Sequence, residues 1–123
     1  MRDLLTFDFC QMEIYDNHII TTINDGEHIV VEQHKVLLDV AQTYFKNSNF
    51  FYLSNRINSY SLDPKVYYQV SKIENLVGLA IISDNNKAIG NAQIEKLFYN
   101  KPYKIFSNMK EAIEWGNDII NNT

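Results

Sequence analysis

The sequence predicts an α/β fold with a mostly parallel sheet, and three observations carry that expectation. Residues 50–53 (FFYL) and 77–82 (VGLAII) are short continuous apolar runs, the pattern of strands covered on both faces. The segments around them repeat their apolar residues at helical spacing, so strands and helices alternate along the chain. The N-terminal residues alternate apolar with polar instead, as a strand with one wet face does.

The elements follow in order. Leu5, Phe7 and Phe9 alternate with Thr6, Asp8 and Cys10, and Met12 and Ile14 extend the pattern, which predicts one strand over residues 5–14. Tyr15, Asp16, Asn17 and His18 form a turn, since Asp and Asn tolerate positive φ, and an antiparallel partner strand follows at 19–23. Asn24, Asp25, Gly26 and Glu27 read as a helix start, with Asn24 capping free amides and Glu27 reaching back. The helix is expected over 27–46, with Val30, Leu37, Ala41, Tyr44 and Phe45 inward. The run at 50–53 is the central strand, and it delivers a polar loop that carries Arg56, one of only two arginines.

Asp63 and Pro64 start a second helix, Asp as cap and Pro at the first helical position, with Val66, Val70 and Ile73 as its inward stripe. After the strand at 77–82, Ser83 and Asp84 lead into a third helix over 86–99, with Ile94, Leu97 and Phe98 expected to face the core. Lys101 and Pro102 break it. A short strand at 103–106 precedes a final helix capped by Ser107 or Asn108, with Ala112, Trp115 and Ile119 on one stripe. The predicted order is β-β-α-β-α-β-α-β-α, a mostly parallel sheet with an antiparallel first strand and helices packed on it, in one domain over residues 1–123.

At 123 residues such a chain buries roughly two-thirds of its unfolded surface and folds without staples. Hydrophobic content of 46% with 21% charged residues argues against long disorder. A net charge of -4 with scattered lysines gives no phosphate-neutralising footprint, so nucleic acid is not an expected partner. Cys10 is the only cysteine, the N-terminus lacks a secretory pattern, and no apolar run nears the roughly 20 residues of a membrane span. The expectation is a cytoplasmic protein without a transmembrane segment.

Parallel strands present their carboxyl ends at one edge, where open α/β sheets place ligands. Asn24, Asp25, Asn55, Arg56, Asn58, Ser59, Ser61, Ser83, Asp84 and Asn85 all fall at that edge. The competing assignment is that most of them cap the helices that follow, Asp63 and Asp84 first among them. Arg56 is the sharpest candidate, because a guanidinium at a strand end can hold a carboxylate or phosphate in two parallel hydrogen bonds. Its alternative is a pairing with Asp25 or Asp84.

Other residues point away from chemistry. His28 and His34 are six apart, which does not match the three-or-four spacing of ligands on one helical face, and with His18 they define no metal site. Cys10 reads as a small hydrophobe, and Asp8 and Glu13 as solvent-facing strand positions. No cofactor motif is present. Tyr52, Tyr60, Tyr67 and Tyr68 with Phe51 surround the central loop as a partner patch or ligand wall; Phe51 and Tyr52 suit a core, whereas Tyr60 sits in the loop itself.

The element order and the terminal run from Phe106 to Trp115 (FSNMKEAIEW) resemble the STAS-like superfamily, including SpoIIAA-like bacterial domains related to anti-sigma-factor antagonists. The likeness to CRAL-TRIO lipid-carrier domains is looser. The resemblance covers nearly the whole chain and implies a small regulatory domain of that fold. In regulatory members a serine opening the helix after the central strand, in an Asp-Ser-Ser-Gly-like run, is phosphorylated to switch partner binding. The matching stretch here, NSYSLDP at 58–64, has Ser59 and Ser61 but lacks both the preceding aspartate and the following glycine.

Two functional expectations follow. The first is a non-enzymatic protein-interaction or regulatory domain that binds a protein partner or a second copy through residues 55–62, using Asn55, Arg56, Asn58, Ser59, Tyr60 and Ser61, with Ser59 and Ser61 as possible phosphorylation sites at a helix start. The second is a carrier or sensor for a small or lipid-like ligand, with Arg56 holding an anionic head group. An enzyme is the weakest reading, since no acid/base pair or activated nucleophile assembles from the sequence.

Overall fold

The computed structural model describes residues 1–123. The elements are β1 (Asp3–Thr6), β2 (Cys10–Ile14), β3 (His18–Ile23), β4 (His28–Ile29), α1 (Val31–Phe45), β5 (Phe50–Asn55), β6 (Ser61–Leu62) and α2 (Lys65–Val70), followed by β7 (Leu76–Ile82), α3 (Asn86–Glu95), β8 (Tyr103–Phe106) and α4 (Met109–Asn121). A 3-10 turn, Lys96–Phe98, extends α3. The main sheet has six strands in the order β1-β2-β3-β5-β7-β8. The β3, β5, β7 and β8 pairings are parallel and those of β1 with β2 and β2 with β3 antiparallel. The two apolar runs therefore lie side by side and point the same way, with Tyr52 registered between Ile19 and Leu79.

Alternate residues of these strands feed two layers. Cys10, Met12, Ile14, Ile19, Ile23, Phe50, Tyr52, Leu79 and Ile81 meet α1, α2 and α3 on one face. Phe45 of α1 stacks on Phe50 at 4.7 Å, and full burial of each such ring stabilises by about 2–3 kcal/mol. On the other face Ile20, Phe51, Leu53, Ala80, Ile82 and Phe106 lie under α4 alone. The predicted Ala112, Trp115 and Ile119 stripe is correct, and Gly116 completes it. A Cβ at Gly116 would sit 2.3 Å from the Phe51 ring, so the absent side chain is what lets α4 come this close to the sheet.

Three local expectations are corrected. The single strand over 5–14 is a hairpin: the chain folds back at residues 7–9, the Phe7 amide donating to the Cys10 carbonyl at 2.8 Å, and Phe7 and Phe9 lie 6.3 Å apart against the core. The first helix starts at Val31, where Gln33 Oε1 accepts from the Val30 amide, and Asn24 instead donates to the Asp8 carbonyl. Long-range pairing wins there, because residues 28–29 are drawn into the parallel β4–β6 ribbon. On α3, Ile94, Leu97 and Phe98 are exposed, while Ala92 and Glu95 face inward. Asn85 and Asn108 cap α3 and α4, accepting from Lys87 and Ala88 and from Glu111.

Candidate functional site

The four parallel strands end at Ile23, Asn55, Ile82 and Phe106, and their exit loops surround an open crevice of about 890 Å³. The β7 loop leads to α3 on one face and the β8 loop to α4 on the other, and neighbouring loops that diverge in this way leave a cleft at the carboxyl edge. Asp25, Asn55, Arg56, Asn58, Ser59, Tyr60, Ser61, Ser83, Asp84 and Asn85 all line it. Asn24 does not. Ile57, inside the predicted 55–62 surface, and Ser107, at the end of the last predicted strand, line it too, whereas Lys87, Ala88 and Asn91 of α3, and Gly26 and Glu27, were not anticipated. Their only sequence signal is position, one helical turn beyond the predicted cap or inside a predicted loop.

Two of the loops are stapled together. Gly26, with φ of +80°, makes the turn that lets its amide donate to the Ser59 carbonyl at 2.7 Å. The Asp25 carboxylate accepts from the Ser59 amide at 2.9 Å, and Asn58 Nδ2 donates to the Ile23 carbonyl at 2.9 Å. The Ser61 and Asp63 amides donate to the Glu27 and Ile29 carbonyls. His28 Nδ1 lies 2.7 Å from the Ser61 hydroxyl. Residues 56–62 are thus a braced wall.

Arg56 forms the floor and points away from solvent. Its two terminal nitrogens donate to both oxygens of Glu95 at 2.8 and 2.5 Å, and one also donates to Tyr67 Oη at 2.7 Å. Tyr67 Oη donates to the same carboxylate, and the Tyr60 ring covers the guanidinium at 5.4 Å. Glu95 is the partner, not Asp25 or Asp84, and Arg56 is spoken for within the fold. Burial lifts the Tyr67 and Tyr60 hydroxyls above the ordinary tyrosine range against the pull of Arg56, so both remain neutral. Tyr67, Tyr99 and Tyr103 close the cluster with T-shaped and tilted ring contacts at 5.9–6.4 Å between centroids.

Below this floor, between the sheet and α1 and α2, lies a cavity of about 40 Å³. Thr21, His34 and Arg56 border it, each with a buried polar atom that has no protein partner. A water needs at least about 10–15 Å³, so the cavity suits about three waters and falls far below a ligand pocket of about 300–1,000 Å³.

The serines sit differently from the regulatory pattern. Ser59 and Ser61 are exposed, but Leu62, Asp63 and Pro64 lie between them and α2, which begins at Lys65 with its first amide donating to Asp63 Oδ1. A charge there would not meet a helix amino terminus. At Ser59 it would meet Asp25, and at Ser61 it would meet His28.

With this layout in view, a solved structure provides the match. A crystal structure of an uncharacterised DUF3478-family protein with a SpoIIAA-like fold, from Shewanella loihica, superposes at a TM-score of 0.56 over 87% of this chain and 91% of that one, with 16% identity. The chain has a SpoIIAA-like fold. No protein-family model and no curated protein matches the sequence. The SpoIIAA-like core accounts for the parallel strands, the helices on them and the terminal helix that the sequence pattern anticipated. No helix is long and apolar enough to cross a membrane.

Proposed function

We propose that this SpoIIAA-like domain is a non-enzymatic interaction module that seats a protein partner at the carboxyl-edge crevice, with the loop at 55–62 as the contact surface. The observation that supports this reading most is the contrast between the two spaces. The outer crevice is wide, polar and braced, with Ile57 73% exposed on its lip; the inner cavity has room for water only. An apolar anchor ringed by amides and hydroxyls suits a protein contact. A ligand carrier is not favoured, because the cavity is too small and the Arg56 guanidinium is held by Glu95.

Regulation at this surface has a physical route that does not use a helix terminus. A phosphate on Ser59 would lie beside the Asp25 carboxylate that holds the Ser59 amide, and repulsion would open the staple between the two loops. The same proposal sets the domain in the cytoplasm, in keeping with its lone cysteine.

The test is co-purification of partners with the wild-type chain, followed by titration of the recovered partner against Ile57→Asp and Ser59→Asp. A loss of affinity of about fivefold to thirtyfold for Ile57→Asp is expected, from an exposed anchor worth roughly 1–2 kcal/mol. If both variants retain full affinity for every recovered protein, the crevice is not the docking surface.

A further inference from the structure

Thr21 and Ser54 break the pattern of their strands. They stand in register on β3 and β5, on a sheet face whose other members there are Ile19, Ile23, Phe50 and Tyr52. Packing against helices asks for no hydroxyl at either position, and a buried hydroxyl is costly unless it is hydrogen-bonded. Ser54 Oγ has a partner in Tyr60 Oη at 3.1 Å. Thr21 is 2% exposed, and its Oγ1 meets no hydrogen-bonding group of the protein.

The same deficit recurs at two more places around the inner cavity. Arg56 is 9% exposed; its terminal nitrogens are taken by Glu95 and Tyr67, and Nε, its remaining N–H group, meets no protein acceptor. On α1 the buried His34 Nδ1 has no protein partner either. All three residues border the cavity of about 40 Å³, among apolar neighbours such as Leu37, Val70 and Leu79. Unmet polar groups from β3, from the end of β5 and from α1 thus share one small space, which is the arrangement of a built site.

Chemistry selects the occupant. The Arg56 Nε–H group can only donate, so whatever lies against it must accept, whereas Thr21 Oγ1 and a neutral imidazole serve in either sense. His34 is neutral, since burial holds its pKa down to about 4. An apolar guest would leave the arginine N–H unpaired. Glu95 already compensates the guanidinium, so a halide would bury an uncompensated negative charge, and a metal cation would face an arginine. Water accepts and donates, and about three fit. Arg56 and Tyr60 border the crevice as well as the cavity, and this shared wall is the route by which water exchanges.

We infer that the inner cavity is a permanent hydration site, whose waters bridge Arg56 Nε, Thr21 Oγ1 and His34 Nδ1 and hold the crevice floor from beneath. The site ties α1 to the floor whatever docks above it.

Nuclear magnetic resonance of the wild-type chain tests this, with cross-relaxation from water to protein protons, relaxation dispersion of water to count long-lived molecules, and xenon as an apolar probe. A cross-peak between water and the Arg56 Nε proton is expected, and xenon should leave the methyl shifts of Leu37, Val70 and Leu79 unmoved. Thr21→Val keeps the shape and removes the hydroxyl; it should lower the number of long-lived waters by about one and weaken the Arg56 cross-peak about twofold. The inference is overturned if the wild type shows no water cross-peak at Arg56 Nε, or if xenon shifts those methyls, which would mark a dry apolar hole. It is also overturned if titration with chloride moves the Arg56 Nε signal to saturation, which would assign the space to an ion, or if folded Thr21→Val matches the wild type in both readouts. Should Thr21→Val fail to fold, the wild-type cross-peak and the xenon result decide by themselves.

Discussion

Replacing Glu95 with alanine strands a guanidinium charge under the crevice floor. The substitution removes the acceptor of two Arg56 N–H groups at 2.8 and 2.5 Å and of the Tyr67 hydroxyl at 2.5 Å. Hydrogen bonds to charged groups contribute about 1.5–3 kcal/mol each but do not add when they share an acceptor. The better guide is the cost of leaving one member of a buried ion pair uncompensated, about 3–5 kcal/mol. Against a total stability of about 5–15 kcal/mol that is a large fraction. Urea denaturation followed by circular dichroism reads it directly: with a slope of about 1–3 kcal/mol per molar urea, the midpoint should fall by roughly 2 M. The companion variant, Arg56→Met with Glu95→Leu, removes both charges, retains apolar volume and should recover most of the loss. A single Glu95→Ala variant within about 1 kcal/mol of wild type, or a double variant as unstable as the single one, would refute the argument that this pair is mutually compensating.

Two further outcomes test other parts of the molecule. Gly116→Ala forces a methyl to within 2.3 Å of the Phe51 ring, so α4 must lift from the sheet; a loss of at least about 2–3 kcal/mol in the same urea assay is expected, and a neutral effect would mean that the helix sits farther out. His18 lies between the Tyr15 and Phe51 rings at 4.5 and 4.8 Å, and burial holds its pKa down to about 4, with Glu13 and Asp16 opposing in part. Its folded pKa is below its unfolded one, so the unfolded chain takes the proton first. Stability is then full above about pH 6.5 and falls by about 2–3 kcal/mol towards pH 4, and His18→Gln should flatten that slope; an unchanged pH profile would assign the acid sensitivity elsewhere, His34 being the other buried imidazole held down to about 4.

The parts of the fold that rest on runs of several residues were readable in advance. The runs at 50–53 and 77–82 are apolar on consecutive positions, too short for a buried helix and bounded by polar turn formers, the pattern of strands covered on both faces, and with helices between them a parallel pairing and the edge it defines followed. The crevice followed too, since nine of the ten residues placed at that edge line it. What was not readable depended on contacts between distant residues. Asn24 and Glu27 have the local features of a helix start, but Gly26 and Glu27 are bonded to Ser59 and Ser61 more than thirty positions away. The α3 stripe was misjudged because Ile94, Leu97 and Phe98 look like core until the partner of Arg56 is known. A hint was present: Ala92, Glu95 and Tyr99 also share a helical face, and an acid on that face with an arginine at a strand end is a pair waiting to be matched.

The main sheet's spatial order repeats its order along the chain, with β1 and β8 at opposite edges. No strand must slip between two that have already paired, and each parallel neighbour is reached by a single crossover that carries a helix. Assembly can therefore proceed by accretion, each hairpin or crossover laying its strand beside the last. In such a chain the hairpins at the β1 edge close first, and the parallel pairings, each of which must close a loop of twenty or more residues, are the slow steps of refolding.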